Sequence, residues 1–479
     1  VIPVTEFAGK QVAVLGLGRS GIAAARALTL GGARVSAWDD TEAARQKAEA
    51  AGVPTDDLNK RDWQNFAALV LAPGIPLHFG SPPNRFVQMA RRVGVPIIGD
   101  IELFARTVNA IEPALRPRII GITGTNGKST TTALIGHILT QAGREARVGG
   151  NIGISVLDLP PPQSNAIYVL ELSSYQLDLA ESLRLDAAVL LNFSPDHLDR
   201  HGGMEGYINA KCRVFRNQHT EDHAIVGMDD AWSRGVYLRL RNRSGRRLCP
   251  ISAGSASGSG VCVIDGKLYD GTAGRSVKTV DLTRAATLPG EHNWQNAAAA
   301  YAACRAMGLE AGDIADGLMT FPGLAHRLET VGRIGRVRFV NDSKATNADA
   351  TQQALKAFAR VHLIAGGRAK AGGIEPLAPL FPRVAQAYLI GEAMESFAQT
   401  LSGKVALTRS RTLEAAVEAA YADAMVSPDP NPVVLLSPAA ASQDQFRDFE
   451  HRGDVFREIV ARIAAREGVT QDSIRESVA

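Results

Sequence analysis

Short apolar runs that end in glycine or a turn recur along the chain, each followed by a helix-like stretch. The first, residues 12–15, leads through G-L-G-R-S-G into an alanine-rich stretch over 22–30. A second run, 34–38, ends in Asp39-Asp40, and a third, 69–72, ends in Pro73-Gly74. This segment closes near Gly99. Strands alternating with helices at this spacing predict a parallel sheet with helices on its faces. The pattern restarts at 118–122, with further strands at 167–172 and 187–192. Residues 236–287 are less regular, rich in Gly, Ser and Arg with short strand-like pieces, and a helical run over 296–305 follows. A third restart near Leu324 carries strands at 337–341, 362–365, 387–390 and 433–436. The expectation is an α/β protein of three domains, 1–99, 100–323 and 324–479, with a polar tail after about Ala464 that frays.

Composition agrees. A chain of 479 residues predicts about three domains at roughly 150 residues each. Hydrophobic residues at 45% and charged residues at 21% exclude a disordered chain. The balance of 52 Lys and Arg against 49 Asp and Glu does not suggest a dedicated nucleic-acid binder. Arg234, Arg239, Arg241, Arg243, Arg246 and Arg247 form one local cluster, read as a solvated loop or edge hairpin. No apolar run is long enough for a membrane span, and the first residues do not read as a signal peptide. Four scattered cysteines without a C-x-x-C pair suggest neither a disulfide framework nor a zinc site, so a reducing, cytoplasmic location is expected.

The strongest chemical signal is I-I-G-I-T-G-T-N-G-K-S-T, residues 119–130. An apolar strand runs into a glycine turn and a helix, which aims backbone N–H groups at phosphate oxygens. In such a loop Lys128 reaches the β/γ-phosphates and Ser129 sits on Mg²⁺. The strict P-loop pattern fails, because Ile122 stands where it wants its first glycine. A second signal is Gly16-x-Gly18-x-x-Gly21 after a strand, with Asp39 ending the next strand. It fits NAD, another nucleotide diphosphate, or tight strand–helix packing equally well. Glu171, Asp196 and His197 lie at or just beyond the ends of later strands, where carboxylates beside a phosphate loop suit Mg²⁺.

The strings T-G-T-N-G-K-S-T, G-G-N-I-G, L-E-L-S-S-Y-Q, D-H-L-D-R, H-N-W-x-N, P-G-L-A-H-R-L-E, N-D-S-K-A-T-N and S-P-A-A-A-S-x-D-x-F follow in this order between Thr123 and Phe446, and with the glycine turn the motifs run from Gly16 to Gly453. The chain thereby resembles the Mur ligase family of peptidoglycan-precursor enzymes over nearly its whole length. Asn126 in the phosphate loop, G-D-I-E-L-F at 99–104 and the absence of D-N-P-R resemble the D-glutamate-adding branch. Two other classes explain less. A nicotinamide oxidoreductase accounts only for Gly16–Gly21 and Asp39, and a P-loop switch or nucleic-acid protein only for Lys128 and the arginines.

The resemblance implies a Rossmann-like N-terminal domain for the UDP substrate, a central P-loop ATPase-type domain and a Rossmann-like C-terminal domain for the amino acid. It implies ATP-dependent amide-bond formation between UDP-N-acetylmuramoyl-L-alanine and D-glutamate through an acyl phosphate, in a monomer with no nucleic-acid partner. ATP would be held by Gly124, Thr125, Asn126, Gly127, Lys128, Ser129, Thr130, Asn293, Asn296, Arg327, Asp342 and Lys344. Ser129 and Glu171 would hold one Mg²⁺, and His197 a second with a carbamylated Lys211. Asn151 would contact phosphates or the reacting carboxylate; with Lys128, Lys211, His197 and Arg327 it forms the expected catalytic set. Gly16, Leu17, Gly18, Arg19, Ser20, Gly21, Asp39, Asp40, Pro73 and Gly74 would bind the UDP part. Thr346, Lys370, Ser442 and the Phe449 backbone would bind D-glutamate. The family's acidic residue after Gly366-Gly367 is missing, since Arg368-Ala369-Lys370 follows instead.

Overall fold

The first apolar runs build a parallel sheet from β1 (Gln11–Leu15), β2 (Arg34–Trp38), β3 (Phe66–Leu71) and β4 (Ile97–Ile98), in the order β2-β1-β3-β4. This is the computed structural model of residues 1–77, 84–242, 245–255, 259–285, 287–369 and 372–469. A second sheet comprises β5 (Arg118–Thr123), β6 (Glu145–Gly150), β7 (Ala166–Glu171), β8 (Ala187–Leu190), β9 (His223–Gly227), β10 (Arg247–Ala253), β11 (Val261–Ile264), β12 (Lys267–Asp270) and β13 (Val277–Asp281). Its order is β13-β12-β11-β10-β9-β8-β5-β7-β6, parallel from β6 to β11 and antiparallel beyond. The third sheet holds β14 (Glu329–Ile334), β15 (Val337–Asn341), β16 (Val361–Gly366), β17 (Val384–Ile390), β18 (Leu407–Arg411) and β19 (Val433–Leu436), in the order β14-β15-β19-β16-β17-β18. Only its β14–β15 hairpin is antiparallel.

The expected α/β class with parallel sheets is therefore what the chain adopts. Every residue of β7 is buried, which is why it reads as an unbroken apolar run. By contrast β6, E-A-R-V-G-G, gives no such signal. Its Arg147 is 5% exposed; it pairs with Glu145 at 3.2 Å and donates to Tyr168 Oη (3.1 Å), Gln163 Oε1 (2.6 Å) and the carbonyls of Pro160 and Pro161. One expectation is corrected. Arg234, Arg239 and Arg241 lie on a helix, Ala231–Asn242, and not in a loop or edge hairpin. Arg243 lies outside the described residues.

The chain forms two compact units. One contains Val1–Arg284 with Asn293–Phe321; the other contains Ala285–His292 and the chain from Pro322 onward. Within the first unit one hydrophobic core cluster runs from β1 (Val12, Val14) through the helix Asp100–Asn109 to β7, where Phe104 meets Tyr168 at 5.0 Å. The first two sheets thus present their strand ends as parts of one body. In each, strand order reverses beside the first strand, β1 or β5, and the crevice outside such a reversal is where ligands of open α/β sheets bind.

The turn after β1 depends on its glycines. Gly16 has φ +90°, and a Cβ on Gly21 would lie 1.8 Å from the Gly16 carbonyl oxygen. Gly21 therefore lets the helix Arg19–Leu30 close on its own loop. Gly21→Ala should destabilise the first unit by about 3 kcal/mol, read from denaturant unfolding, because the clash is with backbone and no rotamer relieves it.

Candidate functional site

β5 delivers the phosphate loop. Gly124 (φ +148°) and Gly127 (φ +83°) turn the chain into the helix Lys128–Gln141. A Cβ on Gly127 would fall 2.2 Å from Asn296 Oδ1. Thr131 Oγ1 donates to that same oxygen at 3.2 Å, and Asn296 Nδ2 donates to Asn293 Oδ1 at 3.3 Å. The loop is fixed from its other side by N-F-S-P. The Asn126 N–H donates to Asn192 Oδ1 at 2.9 Å, and Thr125 Oγ1 accepts from the Ser194 N–H at 3.0 Å. Asn192 and Ser194 were not anticipated, although Asn192 ends a predicted strand and Ser194 stands between it and the D-H-L-D-R motif.

Two lysines converge on one carbonyl. Lys128 Nζ donates to the oxygens of Gly124 (2.9 Å) and Thr125 (2.7 Å), and Lys211 Nζ donates to Gly124 O at 2.8 Å. Lys211, on the helix Met204–Cys212, is 2% exposed and lies 4.7 Å from the Tyr207 ring centroid. It is thus no ordinary surface lysine. Burial, and next the charge of Lys128, push its pKa well below the usual lysine range; Asp196 and Glu171 act in the opposite direction.

Glu171 ends β7 beside this pair and is 3% exposed. Its Oε1 accepts from Asn151 Nδ2 at 2.7 Å, while its Oε2 is buried without a partner. A buried carboxylate oxygen lacking a donor, with the buried Ser129 in the adjacent loop, fits Mg²⁺. His197 holds a left-handed backbone (φ 54°), sits 3.4 Å from Asp196 Oδ2, and packs on Tyr175 at 5.0 Å. Among the described residues no three His, Cys, Asp or Glu side chains cluster closely enough to hold a metal alone. Ligand oxygens would have to complete any Mg²⁺ shell.

Lys128, Asn151, Asp196, His197, Tyr207 and Lys211 all open on one cavity of about 530 Å³. The same cavity is lined by Gly16, Gly18, Arg19, Ser20, Asp39, Pro73 and Gly74, so the glycine turn and the phosphate loop share a site. Its volume suits a small-molecule pocket. Leu17, Gly21 and Asp40 do not line it. Asp39 braces the turn, its Oδ2 accepting from the Leu17 N–H and its Oδ1 from the Thr41 N–H, both at 2.8 Å. Asp40 pairs instead with Arg85 at 2.5 Å. Ser173, Ser174, Tyr175 and Gln176 also line the cavity and were missed, although they form the S-S-Y-Q of a quoted motif. So was Arg200 of D-H-L-D-R. It donates to the carbonyls of Pro73 (2.9 Å) and Ile75 (2.5 Å) and lies 4.6 Å from the Tyr175 ring centroid.

In the second unit, Asp342 follows β15, 7% exposed; Ser437 Oγ donates to its Oδ2 at 2.7 Å and the Leu328 N–H to its Oδ1 at 3.2 Å. Arg327 stands between two residues of positive φ, His326 and Leu328. Lys344 Nζ lies 3.6 Å from the Phe449 ring centroid, and Thr346 follows in the same turn, its N–H donating to Lys344 O. Arg452, fully buried, draws this region together. Its guanidinium donates to Ser343 Oγ (3.0 Å), Ser343 O (2.9 Å) and Ala440 O (3.1 Å), two residues before the buried Ser442. Sequence reasoning passed over Arg452, because a buried arginine inside a helix looks like any surface one. Arg368 pairs with Glu392 at 3.1 Å. Lys370 lies outside the described residues.

Two family models match the chain: the Mur ligase middle domain over residues 122–304, and the Mur ligase, glutamate ligase domain over residues 326–440. A relative from Caulobacter vibrioides (strain NA1000 / CB15N), named UDP-N-acetylmuramoylalanine--D-glutamate ligase, is 59% identical over 98% of this chain and 99% of its own. The chain belongs to the Mur ligase family. A Rhodospirillum rubrum protein of the same name is 50% identical over 97% of each chain. Among solved structures, the UDP-N-acetylmuramate-alanine ligase of Thermotoga maritima shares the fold with a TM-score of 0.59 at 18% identity, covering 95% of this chain and 99% of that one.

The buried Asp342 gives this Mur ligase a pH signature. Burial pushes its carboxyl up to about 7, well above the usual aspartate range. The unfolded chain therefore releases this proton near pH 4 while the folded chain keeps it to about pH 7. Stability from this group falls as pH rises across that window and is level above it. Asp342→Asn should flatten that fall. Unfolding midpoints at pH 4.5 and pH 8 should show the variant gaining on wild type at the higher pH.

Proposed function

We propose that this protein uses ATP to join the amine of D-glutamate to the lactoyl-L-alanine carboxylate of UDP-N-acetylmuramoyl-L-alanine, in cytoplasmic peptidoglycan-precursor synthesis. The observation that carries the reading is the shared cavity. A glycine turn suited to a nucleotide diphosphate and a lysine-bearing phosphate loop open on the same space, in a chain whose relatives at 50–59% identity are named for this reaction. The domain roles proposed are UDP-substrate binding by 1–99, ATP binding by 100–323 and amino-acid binding by 324–479, acting as a monomer.

A carboxylate is a poor electrophile, so it must first become an acyl phosphate, and the crowded negative charge must be offset. Lys128 and the Gly124–Ser129 backbone would hold the transferring phosphoryl group. Mg²⁺, held by Ser129 and Glu171 and at a second position by His197 with Lys211, would supply further positive charge. Asn151, clamped by Glu171, would orient the reacting carboxylate. Asn293 and Asn296 would face the adenine. Arg327, Asp342 and Lys344 are proposed to act on ATP; Thr346, Ser442 and the Phe449 N–H are proposed to bind D-glutamate.

Amino-acid-dependent phosphate release, measured with UDP-N-acetylmuramoyl-L-alanine, tests the reading. D-Glutamate should drive turnover, and L-glutamate, L-alanine and meso-diaminopimelate should not. Equal turnover with diaminopimelate would refute the assignment.

Lys211 is proposed to react with CO₂. Its neutral amine attacks the CO₂ carbon and loses a proton, turning a repelled ammonium into an anionic oxygen ligand that Mg²⁺ prefers. The depressed pKa supplies the neutral amine this needs. Protein prepared with carbon-labelled bicarbonate should show one carbamate resonance, absent from Lys211→Ala. That variant should also be nearly inactive and partly rescued by short carboxylates. A wild-type spectrum without the resonance would sink the idea.

A further inference from the structure

The helix that carries Lys211 also borders a second cavity, of about 360 Å³. Cys212 and Arg213 reach it from the end of that helix, and Arg216 from the turn that follows; Arg239 on the helix Ala231–Asn242 and Arg246 just before β10 complete it. Four arginines therefore line one small volume. Arg216 and Arg239 stand at the exposed rim, and Arg213 and Arg246 are half-buried.

Other arginines in the chain find carboxylates: Arg184 meets Glu221 and Asp222, and Arg466 meets Glu418. Arg213, Arg216, Arg239 and Arg246 form no ion pair among the described residues. The Nε atoms of Arg213 and Arg246 are buried with no acceptor. Arg213 donates through Nη2 to Ala180 O at 3.0 Å, and Arg239 lies 3.9 Å from Cys212 Sγ. The carboxylates whose fields reach Arg213 are Asp178, Glu181 and Glu102, and none lines the cavity. Burial, and then the Arg216 charge, hold Arg213 below its ordinary pKa. Phe215 and Val236 give the cavity an apolar wall.

Guanidinium forks match phosphate oxygens in a bidentate way, and four arginines without a carboxylate partner among the described residues line this one cavity. The apolar wall and the volume leave room for a compact organic part. We propose that this cavity binds a small phosphorylated anion, at a site separate from the one at Lys128. The proposal does not rest on the ligase reading. Its ligand would sit against the opposite side of the helix that presents Lys211.

Cys212 is the only one of the four cysteines that is not buried, and it reports on this cavity. Burial pushes its thiol up to about 11, so labelling is slow enough to time. The full chain is labelled with a maleimide in metal-free buffer with increasing pyrophosphate. Pyrophosphate should slow labelling in wild type and equally in Arg241→Gln, which removes the same charge from an exposed position of the same helix outside the cavity. Arg239→Gln and Arg246→Gln should each weaken that protection about tenfold or more. No protection of wild type at millimolar pyrophosphate would overturn the site, as would equal weakening by Arg241→Gln. Tighter, steeply salt-dependent protection by a short RNA would overturn it in favour of a nucleic-acid face. Should a variant fail to fold, hydrogen exchange of residues 231–242 in wild type decides: slowing by pyrophosphate supports the site, and no change defeats it.

Discussion

Two lysine amines bound to the Gly124 carbonyl set the terms for the first unit. Neither would be stable there if the surroundings were neutral and dry. Lys128 stands at a loop open to a cavity, and Lys211 is buried behind it and driven toward its neutral form. Around them stand Glu171 with one oxygen unsatisfied and Asp196 beside His197. The centre thus gathers two lysines and two carboxylates, one of whose oxygens is buried without a donor. Charged ligands and a modified lysine would complete it, which is how a site can be poised for crowded phosphates without collapsing on itself.

Much of the remaining structure keeps these groups in place. The phosphate loop is gripped by Asn192 and Ser194 on one side and by Asn296 on the other. The glycine turn of the first sheet is braced by Asp39, and Arg200 reaches from the Asp196–His197 segment to the Pro73–Ile75 carbonyls. One continuous core, with Phe104 on Tyr168, makes the two sheets a single support for both halves of the cavity. In the second unit Arg452 has the same office. It is a buried cation whose hydrogen bonds go to backbone carbonyls and a serine, so it shapes loops, while the fields of Asp444 and Asp342 help to keep it charged.

What could be read in the sequence follows from burial. β5, β7, β8 and β19 are covered on both faces and stand out as apolar runs. β6 and β9 carry Arg147 and His223 and do not, although they lie in the same sheet. The helix Ala231–Asn242 hid behind its arginines, because charge density was taken for loop when it marks a wall of a cavity. Residues proposed to meet phosphate chemistry, such as Lys128, Asn151 and His197, stand out by motif and strand-end position, and the structure brings them to one cavity. Residues that act by holding backbone, such as Asn192, Arg200 and Arg452, carry no signature of their own. Asp39 shows the opposite case: a residue expected to face ligand also spends both carboxylate oxygens on its own turn.

The contact between Gly127 and Asn296 has a consequence for how such a chain can change over time. The amide oxygen occupies the place a β-carbon would need at Gly127, and the positive φ there already disfavours one. The two positions, far apart in sequence, therefore behave as one inherited character. A side chain at 127 becomes tolerable only after 296 has shortened, and that shortening removes the acceptor for Thr131. Every single-step path away from this pair passes through a worse protein, so lineages carrying it should be held there by the order in which mutations must occur, independently of which amino acid the enzyme adds.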